Sequence, residues 1–384
     1  MINFIFPYKD SEESDWTICG PLTSYITSNY DYTYDFIIKE NYKNIIVFET
    51  VEKFKGFIKN KNKKIFNDIT ILDFLKINKD LKIIITSIAD AATPYEKQSI
   101  LTLMQSNDLH ERTYYVESNF NHKNDKNTFC WHFFIEDGGE NENHIFNTEK
   151  NELGYTTKRI EIEELDGFRE KKFLCFNRTL DRPHRLSLLY DYLNNDFSDS
   201  YFSFLVYNSE YETIFQFEPG GYDYSKFNKF LPIELDTQVI DNKQGFRVGD
   251  AIGEKKFYLN SCIHLVTESS FIQNELFLTE KMLKPILNYQ PFIIMGSFNY
   301  IKELKRIGFK TFSEFWDESY DEIEDPKDRY FSVMKVVMEL NSKSIEELNE
   351  LYQKTKNICI YNRELLQNKK HSIDKFIKKI ENEW

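Results

Sequence analysis

The chain has 384 residues, of which 49 are basic and 62 are acidic, and its formal net charge is −13 at pH 7. This acidity argues against a general nucleic-acid-binding protein, because such proteins neutralise phosphates with an excess of lysine and arginine. With 41% hydrophobic and 16% aromatic residues the chain can bury substantial cores, which excludes a mainly disordered protein. The length suits two domains of ordinary size.

The sequence predicts neither a signal peptide nor a membrane span. Residues 1–10 lack a basic stretch, and their apolar run is too short for a signal peptide. No apolar run approaches the roughly 18 residues that cross a bilayer, so no membrane span is predicted. The five cysteines are far apart and form no CxxC pair, so neither a zinc site nor a disulfide scaffold is expected. We therefore expect a reducing, cytoplasmic location.

Short apolar runs rich in strand-forming residues recur along the chain and alternate with helix-like segments. This alternation is typical of an α/β fold with a parallel sheet, whose strands are buried on both faces. In the first half the predicted strands are Ile2–Phe6, Ile45–Phe48, Ile83–Thr86, Thr113–Val116 and Trp131–Ile135. In the second half they are Phe173–Phe176, Tyr201–Val206, Ile263–Thr267, Phe292–Met295 and Phe309–Phe312.

A charged segment, Arg159–Lys172, separates the two sets of strands and predicts a linker. The predicted domains are an N-terminal domain over residues 1–160 and a C-terminal domain over residues 171–360. Within residues 361–384, apolar side chains at helical spacing predict an amphipathic helix. The pattern is compatible with a helix packed on its own domain and with one that crosses back to the first domain.

One cluster of candidate site residues lies just after the predicted strand Phe173–Phe176. A polar loop and the start of an amphipathic helix follow this strand, and they carry Asn177, Arg178, Arg182, His184 and Arg185. Because guanidinium groups bind phosphate bidentately, arginines gathered past a strand end of an acidic chain indicate an anion site. A solvated loop with ion pairs is the alternative interpretation.

A second cluster lies in a predicted strand–helix–strand unit. Polar residues end the strand Ile263–Thr267 and begin the following helix, namely Glu268, Ser269, Ser270, Thr279, Glu280 and Lys281. Ligands bind at the carboxyl ends of parallel strands, and a helix N-terminus attracts phosphate. A lysine there adds a point charge for a diphosphate, and the glutamate beside it could accept hydrogen bonds from a ribose. The alternative is a capping threonine with a solvated lysine.

At these two clusters the chain resembles nucleotide-sugar glycosyltransferases of the GT-B type, most closely the C-terminal domain of α-1,3-fucosyltransferases. In that family an asparagine at a strand end and an arginine opening a helix precede a Thr-Glu-Lys motif. The matching elements here are Asn177, then Arg182 or Arg185, then Thr279-Glu280-Lys281. The resemblance implies that Arg185 (or Arg182) and Lys281 bind the diphosphate and that Glu280 binds the ribose.

The resemblance covers roughly residues 170–330. It extends to glycosyltransferase-like proteins of phages and large viruses, to which the stretch FKTFSEFWDESY over Phe309–Tyr320 is similar. For a viral protein of this kind, the expected cytoplasmic location would be that of the host cell.

The first half matches the family less well, and the catalytic base stays open. Fucosyltransferases carry a Glu-Ser-Pro near the end of an N-domain strand, and its glutamate serves as the base. This chain has Glu117-Ser118-Asn119, without the proline. Glu117 and Asp90 are the main candidate bases, and Asp137 is a third. His184 and His264 are further groups that could titrate near neutral pH.

Several motifs of other nucleotide and metal enzymes do not occur in the sequence. There is no GxxxxGK[ST], GxGxxG or HExxH, and no Asp-x-Asp pair of the kind that holds the metal ion in GT-A glycosyltransferases. We therefore expect no metal and no cofactor besides the donor substrate. Fixed cations would stabilise the departing diphosphate instead.

These features predict a GT-B-like α/β protein with two Rossmann-like domains facing a central cleft. The expected activity is transfer of a sugar from a GDP- or UDP-sugar to a hydroxyl of a glycan or another acceptor. The missing Asp-x-Asp pair predicts a metal-independent reaction, and the resemblance to fucosyltransferases implies an inverting one. One alternative is a phage-type glycosyltransferase that modifies a DNA base, which the net acidity disfavours. Another is a catalytically silent protein that binds a nucleotide or a glycan.

Overall fold

The fold is taken from a computed structural model of the chain. It describes residues 1–6, 22, 26–27, 29–34, 36–48, 64–66, 69–87, 94–120, 127–131, 160–180, 182–206, 228–235, 255–272, 275–368 and 372–383. The chain divides into two compact units: one is Met1–Phe133 together with His371–Trp384, and the other is Phe134–Lys370. The polypeptide therefore passes between the units twice.

A six-stranded parallel sheet forms the centre of the first unit, with the strand order β2-β1-β3-β6-β7-β8. These strands are β1 (Ile2–Phe6), β2 (Tyr32–Tyr34), β3 (Lys43–Phe48), β6 (Lys82–Ser87), β7 (Thr113–Glu117) and β8 (Thr128–Cys130). A separate antiparallel pair consists of β4 (Lys64–Phe66) and β5 (Ile69–Thr70). Two helices, α1 (Ile71–Ile77) and α2 (Pro94–Gln105), precede β6 and β7 respectively.

Both faces of the six-stranded sheet are buried. Successive strand residues point to opposite faces, so Phe4 and Ile45 enter one core while Ile5 and Ile46 enter the other. The second of these cores is closed by α1 and α2. Burial on both faces explains why the strands read as continuous apolar runs rather than as alternating ones.

The C-terminal helix, α9 (Ile373–Asn382), covers the first of these two faces. Its apolar stripe is buried there, and the Phe376 ring stacks on Phe129 with a centroid distance of 4.8 Å. At its start, the Tyr30 hydroxyl donates to the Asp374 carboxylate at 2.9 Å. The helix is thus part of the core of the first unit.

The second unit contains a four-stranded parallel sheet with the order β10-β9-β11-β12. Its strands are β9 (Lys171–Thr179), β10 (Tyr201–Val206), β11 (Ser261–Thr267) and β12 (Phe292–Met295). Its helices are α3 (Pro183–Asn194), α4 (Lys255–Leu259), α5 (Glu280–Leu287), α6 (Tyr300–Arg306), α7 (Pro326–Asn341) and α8 (Ile345–Gln367). In the chain, α3 follows β9 and α5 follows β11, and α8 packs against β11 and α5. The protein is therefore an α/β protein with two parallel, Rossmann-like sheets.

Capping residues fix where several of these helices begin. The Thr279 side chain caps α5, and Asp325 caps α7 ahead of a proline at the first helical position. Ser344 and Glu347 form a reciprocal capping box at the start of α8. In the described part of the chain, no helix combines the length and apolar character needed to span a bilayer.

The predicted strand Phe309–Phe312 is wrong, since this segment is an irregular loop. Its aromatic rings are buried, with Phe312 stacked on Trp316 at 5.1 Å. The amide of Asn362 on α8 bonds both the N–H and the carbonyl of Lys310 at 2.8 Å, which satisfies backbone groups that a neighbouring strand would otherwise pair. Of the predicted strand Trp131–Ile135, only Trp131 is described, and it follows the observed strand β8, which ends at Cys130. Residues 132–135 lie outside the described residues.

The described part of the segment predicted as a linker, Arg159–Lys172, belongs to the second unit. Residues Ile162–Asp166 form a 3₁₀ helix, and β9 already begins at Lys171. Leu165 from this helix is buried against Leu174 of β9. In this helix Glu163, Glu164 and Asp166 are exposed while Leu165 packs inward, and further along the segment the Arg169 side chain is buried.

Candidate functional site

The four-stranded sheet reverses its strand order between β9 and β11, which are neighbours although β10 comes between them in the chain. Ligands of open parallel sheets bind outside the carboxyl ends of the strands at such a reversal, because the helices that follow the two strands leave on opposite faces. Asn177 and Thr267 meet at this point, where the threonine hydroxyl donates to the asparagine side-chain oxygen at 2.6 Å. The candidate residues of the second half follow these two strands.

Helix α3 begins here, and among the described residues no side chain caps its N-terminus. Arg182 occupies the N-cap position without a capping hydrogen bond, and Pro183 is the first helical residue. The Arg182 side chain is exposed, and no hydrogen bond or ion pair joins it to the described residues. An arginine in this setting can turn toward an anion bound at the positive end of the helix.

The next residues of α3, His184 and Arg185, are buried against the end of β11. The Arg185 Nη2 donates to the carbonyl oxygens of Thr267 at 3.1 Å and Glu268 at 3.2 Å. His184 Nε2 lies 2.9 Å from the same Glu268 carbonyl, and because a carbonyl only accepts, this nitrogen carries the proton. Burial, aided by the nearby Arg185 charge, holds the pKa of His184 well below its usual range. Both side chains therefore fix the start of α3 on β11.

Glu268 connects the end of β11 to two further elements through its carboxylate. This side chain is 0% exposed. Its Oε2 accepts from the Thr279 hydroxyl at 2.5 Å and from the Ser269 N–H at 3.3 Å. Its Oε1 accepts from the Tyr300 hydroxyl and from the Thr279 N–H at 3.4 Å. Tyr300 belongs to α6 and was not among the predicted site residues, since no motif in the sequence marks it.

Lys281 stands in the first turn of α5, beside the end of β11. Its backbone N–H donates to the capping hydroxyl of Thr279 at 3.2 Å, and its Nζ donates to the Ser269 hydroxyl at 3.2 Å. The side chain is partly exposed. Ser270 points to a different partner, donating to Glu275 at 3.4 Å. Glu280 is the first residue of α5.

The start of α6 is already occupied by a carboxylate of the protein. Asp321 accepts from the N–H groups of Ile301 at 2.8 Å and Lys302 at 2.9 Å. Burial raises the pKa of Asp321, although both N–H groups act in the opposite direction. An incoming anion would have to displace this side chain, so the starts of α3 and α5 are the better anion sites on this edge.

Of the candidate bases, Glu117 has a described position at the carboxyl end of β7. It forms a buried ion pair with Lys97, whose Nζ lies 2.5 Å from Glu117 Oε1 and also donates to Thr128 at 3.0 Å. Asp90 and Asp137 lie outside the described residues, as do the side chains of Arg178 and Glu280. The other histidine considered, His264, is buried, and burial lowers its pKa to about 3, so it stays neutral at physiological pH.

No protein-family model matches the chain, and a search of curated proteins found no match. Within the described ranges, no three His, Cys, Asp or Glu side chains group in a way that could hold a metal ion. The groups present at the reversal between β9 and β11 are two helix N-termini, an exposed arginine, a partly exposed lysine and several hydroxyls. Such groups suit an anion with several oxygen atoms.

Proposed function

We propose that the second unit binds the diphosphate of a nucleoside-diphosphate sugar, and that the protein transfers the sugar to an acceptor hydroxyl. The observation that carries this proposal is the meeting of α3 and α5 at one residue. The Glu268 carbonyl accepts from His184 and Arg185 of α3, while its carboxylate accepts from Thr279, the cap of α5. Two positive helix ends are thus held side by side at the strand-order reversal.

The charges at these helix starts fit a diphosphate. Arg182 precedes α3 and is exposed, and Lys281 lies in the first turn of α5 and is partly exposed. Each cation adds to the partial positive charge of its helix N-terminus. One phosphate would bind at Arg182 and the start of α3, and the other at Lys281 and the start of α5. Positioned cations of this kind stabilise the charge that develops on a departing diphosphate.

In the proposed reaction, an acceptor oxygen attacks the anomeric carbon of the donor. The bond from that carbon to the diphosphate oxygen breaks, and the leaving group keeps the electron pair. A carboxylate takes the proton of the acceptor hydroxyl, with Glu117 and Asp90 as the candidates. We propose that the first unit supplies this base and the acceptor site in a GT-B-like architecture. GDP- and UDP-sugars are the candidate donors, and the proposed course is metal-independent inversion.

The test is a thermal-shift screen with GDP, UDP, CMP and their sugars, followed by assays of donor hydrolysis and transfer. Lys281→Ala should lower the rate by about 10²–10³-fold while the protein stays folded. The matched control is Lys327→Ala, because Lys327 is likewise the second residue of a capped helix, α7, and is exposed. Its rate should equal that of the parent protein.

Each result of this screen decides between the candidate functions. Absence of any shift or turnover would overturn the proposal. Binding without hydrolysis or transfer would favour the silent nucleotide-binding protein. Unchanged turnover in Lys281→Ala would show that the diphosphate is held elsewhere.

A further inference from the structure

We infer that Glu268 is a positioning residue, which holds Lys281 and the start of α5 in place instead of contacting the nucleotide itself. This inference rests on the proposed function, because the role of Lys281 is defined by the diphosphate. It differs from the expectation raised by the sequence, in which Glu268 lines the ligand site directly.

The hydrogen bonds of Glu268 lead to both ends of Lys281. Its Oε2 accepts from the Thr279 hydroxyl, and that same hydroxyl oxygen accepts the backbone N–H of Lys281 at 3.2 Å. Oε2 also accepts from the Ser269 N–H, and the Ser269 hydroxyl accepts from Lys281 Nζ at 3.2 Å. One carboxylate oxygen therefore fixes the two residues that orient the lysine, one at its backbone and one at its ammonium group.

The second oxygen, Oε1, anchors this arrangement to α6. It accepts from the Tyr300 hydroxyl, and the tyrosine ring packs closely over Gly296. A Cβ at position 296 would lie 2.9 Å from Tyr300 Cδ2, which is closer than real contacts allow, so glycine is required for the tyrosine to reach Glu268. The carboxylate is buried and turned toward these donors. The four hydrogen bonds that Glu268 accepts offset part of its negative charge, so it repels a nearby diphosphate less than a carboxylate without such donors would.

The inference is tested by calorimetric titration with GDP and guanosine, and in parallel with UDP and uridine. The ratio of diphosphate to nucleoside affinity measures what the phosphates contribute. Glu268→Gln should lower this ratio about tenfold, in line with the loss of hydrogen bonds to a charged group, and leave nucleoside affinity within about twofold. In a Lys281→Ala background, Glu268→Gln should have no further effect, because coupled residues are not additive.

Glu318→Gln is the matched control for general destabilisation. Glu318 is also a buried carboxylate of the second unit that accepts from a threonine hydroxyl, at 2.6 Å, and from a backbone N–H, at 2.7 Å. Its substitution should leave the affinity ratio unchanged. If Glu268→Gln fails to fold, Tyr300→Phe serves in the same double-mutant cycle, with a smaller effect in the same direction.

The outcomes separate this inference from the function on which it rests. A parent protein that binds neither diphosphate better than its nucleoside overturns both. If the parent protein prefers the diphosphate, the inference alone is overturned by any of three results. The first is that Glu268→Gln weakens nucleoside binding by the same factor as diphosphate binding. The second is that Glu268→Gln lowers the affinity ratio just as much in the Lys281→Ala background. The third is that Glu318→Gln lowers the affinity ratio to the same extent as Glu268→Gln.

Discussion

Lys97 and Glu117 form an ion pair that is almost completely shielded from solvent, with 5% and 3% of their surfaces exposed and 2.5 Å between Nζ and Oε1. The lysine comes from α2, and the glutamate ends β7. Because Lys97 also donates to Thr128, the first residue of β8, the pair links one helix to two adjacent strands. A buried charge that loses its partner is costly, whereas removal of both charges is tolerated far better.

Lys97→Met should therefore lower the free energy of unfolding by about 3–5 kcal/mol, since it leaves the Glu117 carboxylate buried without the ammonium group of Lys97. The double variant Lys97→Met/Glu117→Leu should recover most of this loss. Urea unfolding of both proteins checks the prediction. A single variant within about 1 kcal/mol of the parent would contradict it. If the double variant folds and still transfers sugar, Glu117 is excluded as the base.

Arg182→Ala and Arg185→Ala should differ in their effect on stability, although both residues are candidate phosphate ligands. Arg185 donates to the carbonyls of Thr267 and Glu268, of which the second also accepts from His184. The loss of Arg185 therefore removes two buried hydrogen bonds and should destabilise the protein by about 1–3 kcal/mol. Arg182 is exposed, so its loss should change stability by less than about 0.5 kcal/mol. Thermal unfolding measures both effects.

Under the proposed function, Arg182→Ala should also weaken GDP or UDP binding about tenfold, the loss expected for a charge-assisted hydrogen bond. Calorimetry on the folded variant measures this directly. Unaltered affinity would remove Arg182 from the proposed diphosphate site and leave Lys281 as its main cation.

Phe376→Ala should destabilise the first unit by about 3–5 kcal/mol, because it removes a buried aromatic ring that stacks on Phe129. Its neighbour Lys375 is exposed on the same helix, so Lys375→Ala should change stability by less than about 0.5 kcal/mol. Hydrogen exchange locates the effect. Faster exchange in β1 and β3 with unchanged exchange in β9 and β11 is expected, and uniform acceleration in both units would count against the assignment of α9.

Acidification should destabilise the second unit through His264. Burial lowers the pKa of this histidine from 6.5 to about 3, so below about pH 6.5 the proton binds mainly to the unfolded chain. Stability is therefore lost as the pH falls, by about 2 kcal/mol between about pH 8 and pH 5. His184 acts in the same direction, because its pKa is lowered too.

The difference between the parent protein and His264→Gln isolates this contribution. Glutamine can still donate to the Gln290 side chain, which His264 Nδ1 contacts at 3.1 Å. The stability gap between the two proteins should shrink by about 2 kcal/mol from pH 8 to pH 5 in urea titrations. A gap that stays constant with pH would show that His264 is not the group responsible.

Much of the architecture could be predicted because parallel strands that are buried on both faces are apolar at nearly every position, and such runs are recognisable in the sequence. Ile2–Phe6, Tyr201–Val206 and Phe292–Met295 were predicted with their observed limits. Phe309–Phe312 was predicted wrongly, since its two phenylalanines are buried in a loop, and buried aromatic side chains alone do not distinguish a loop from a strand. The short strand β2 was missed, having only three residues, all at least partly exposed.

The candidate site shows a different limit of sequence reasoning. Polar residues after β9 and β11 were recognisable as neighbours, because strand ends of one sheet share an edge. Their orientation was not recognisable. Arg182 and Arg185 are both arginines at the start of α3, yet one is exposed and the other buried, which depends on how the helix is rotated against β11. Tyr300 reaches Glu268 from a helix that follows β12, and no local pattern records such a contact.

The two passages of the chain between its units set the order in which the protein can be completed on the ribosome. Residues 134–370 are synthesised before α9, so the second unit can acquire its fold while the first is still unfinished. Until residues 373–382 emerge, the sheet face bearing Phe4, Ile45 and Tyr114 lacks the part of its cover that α9 supplies. During that interval the nascent chain presents an open apolar surface, the kind that chaperones bind and that promotes aggregation when synthesis stalls.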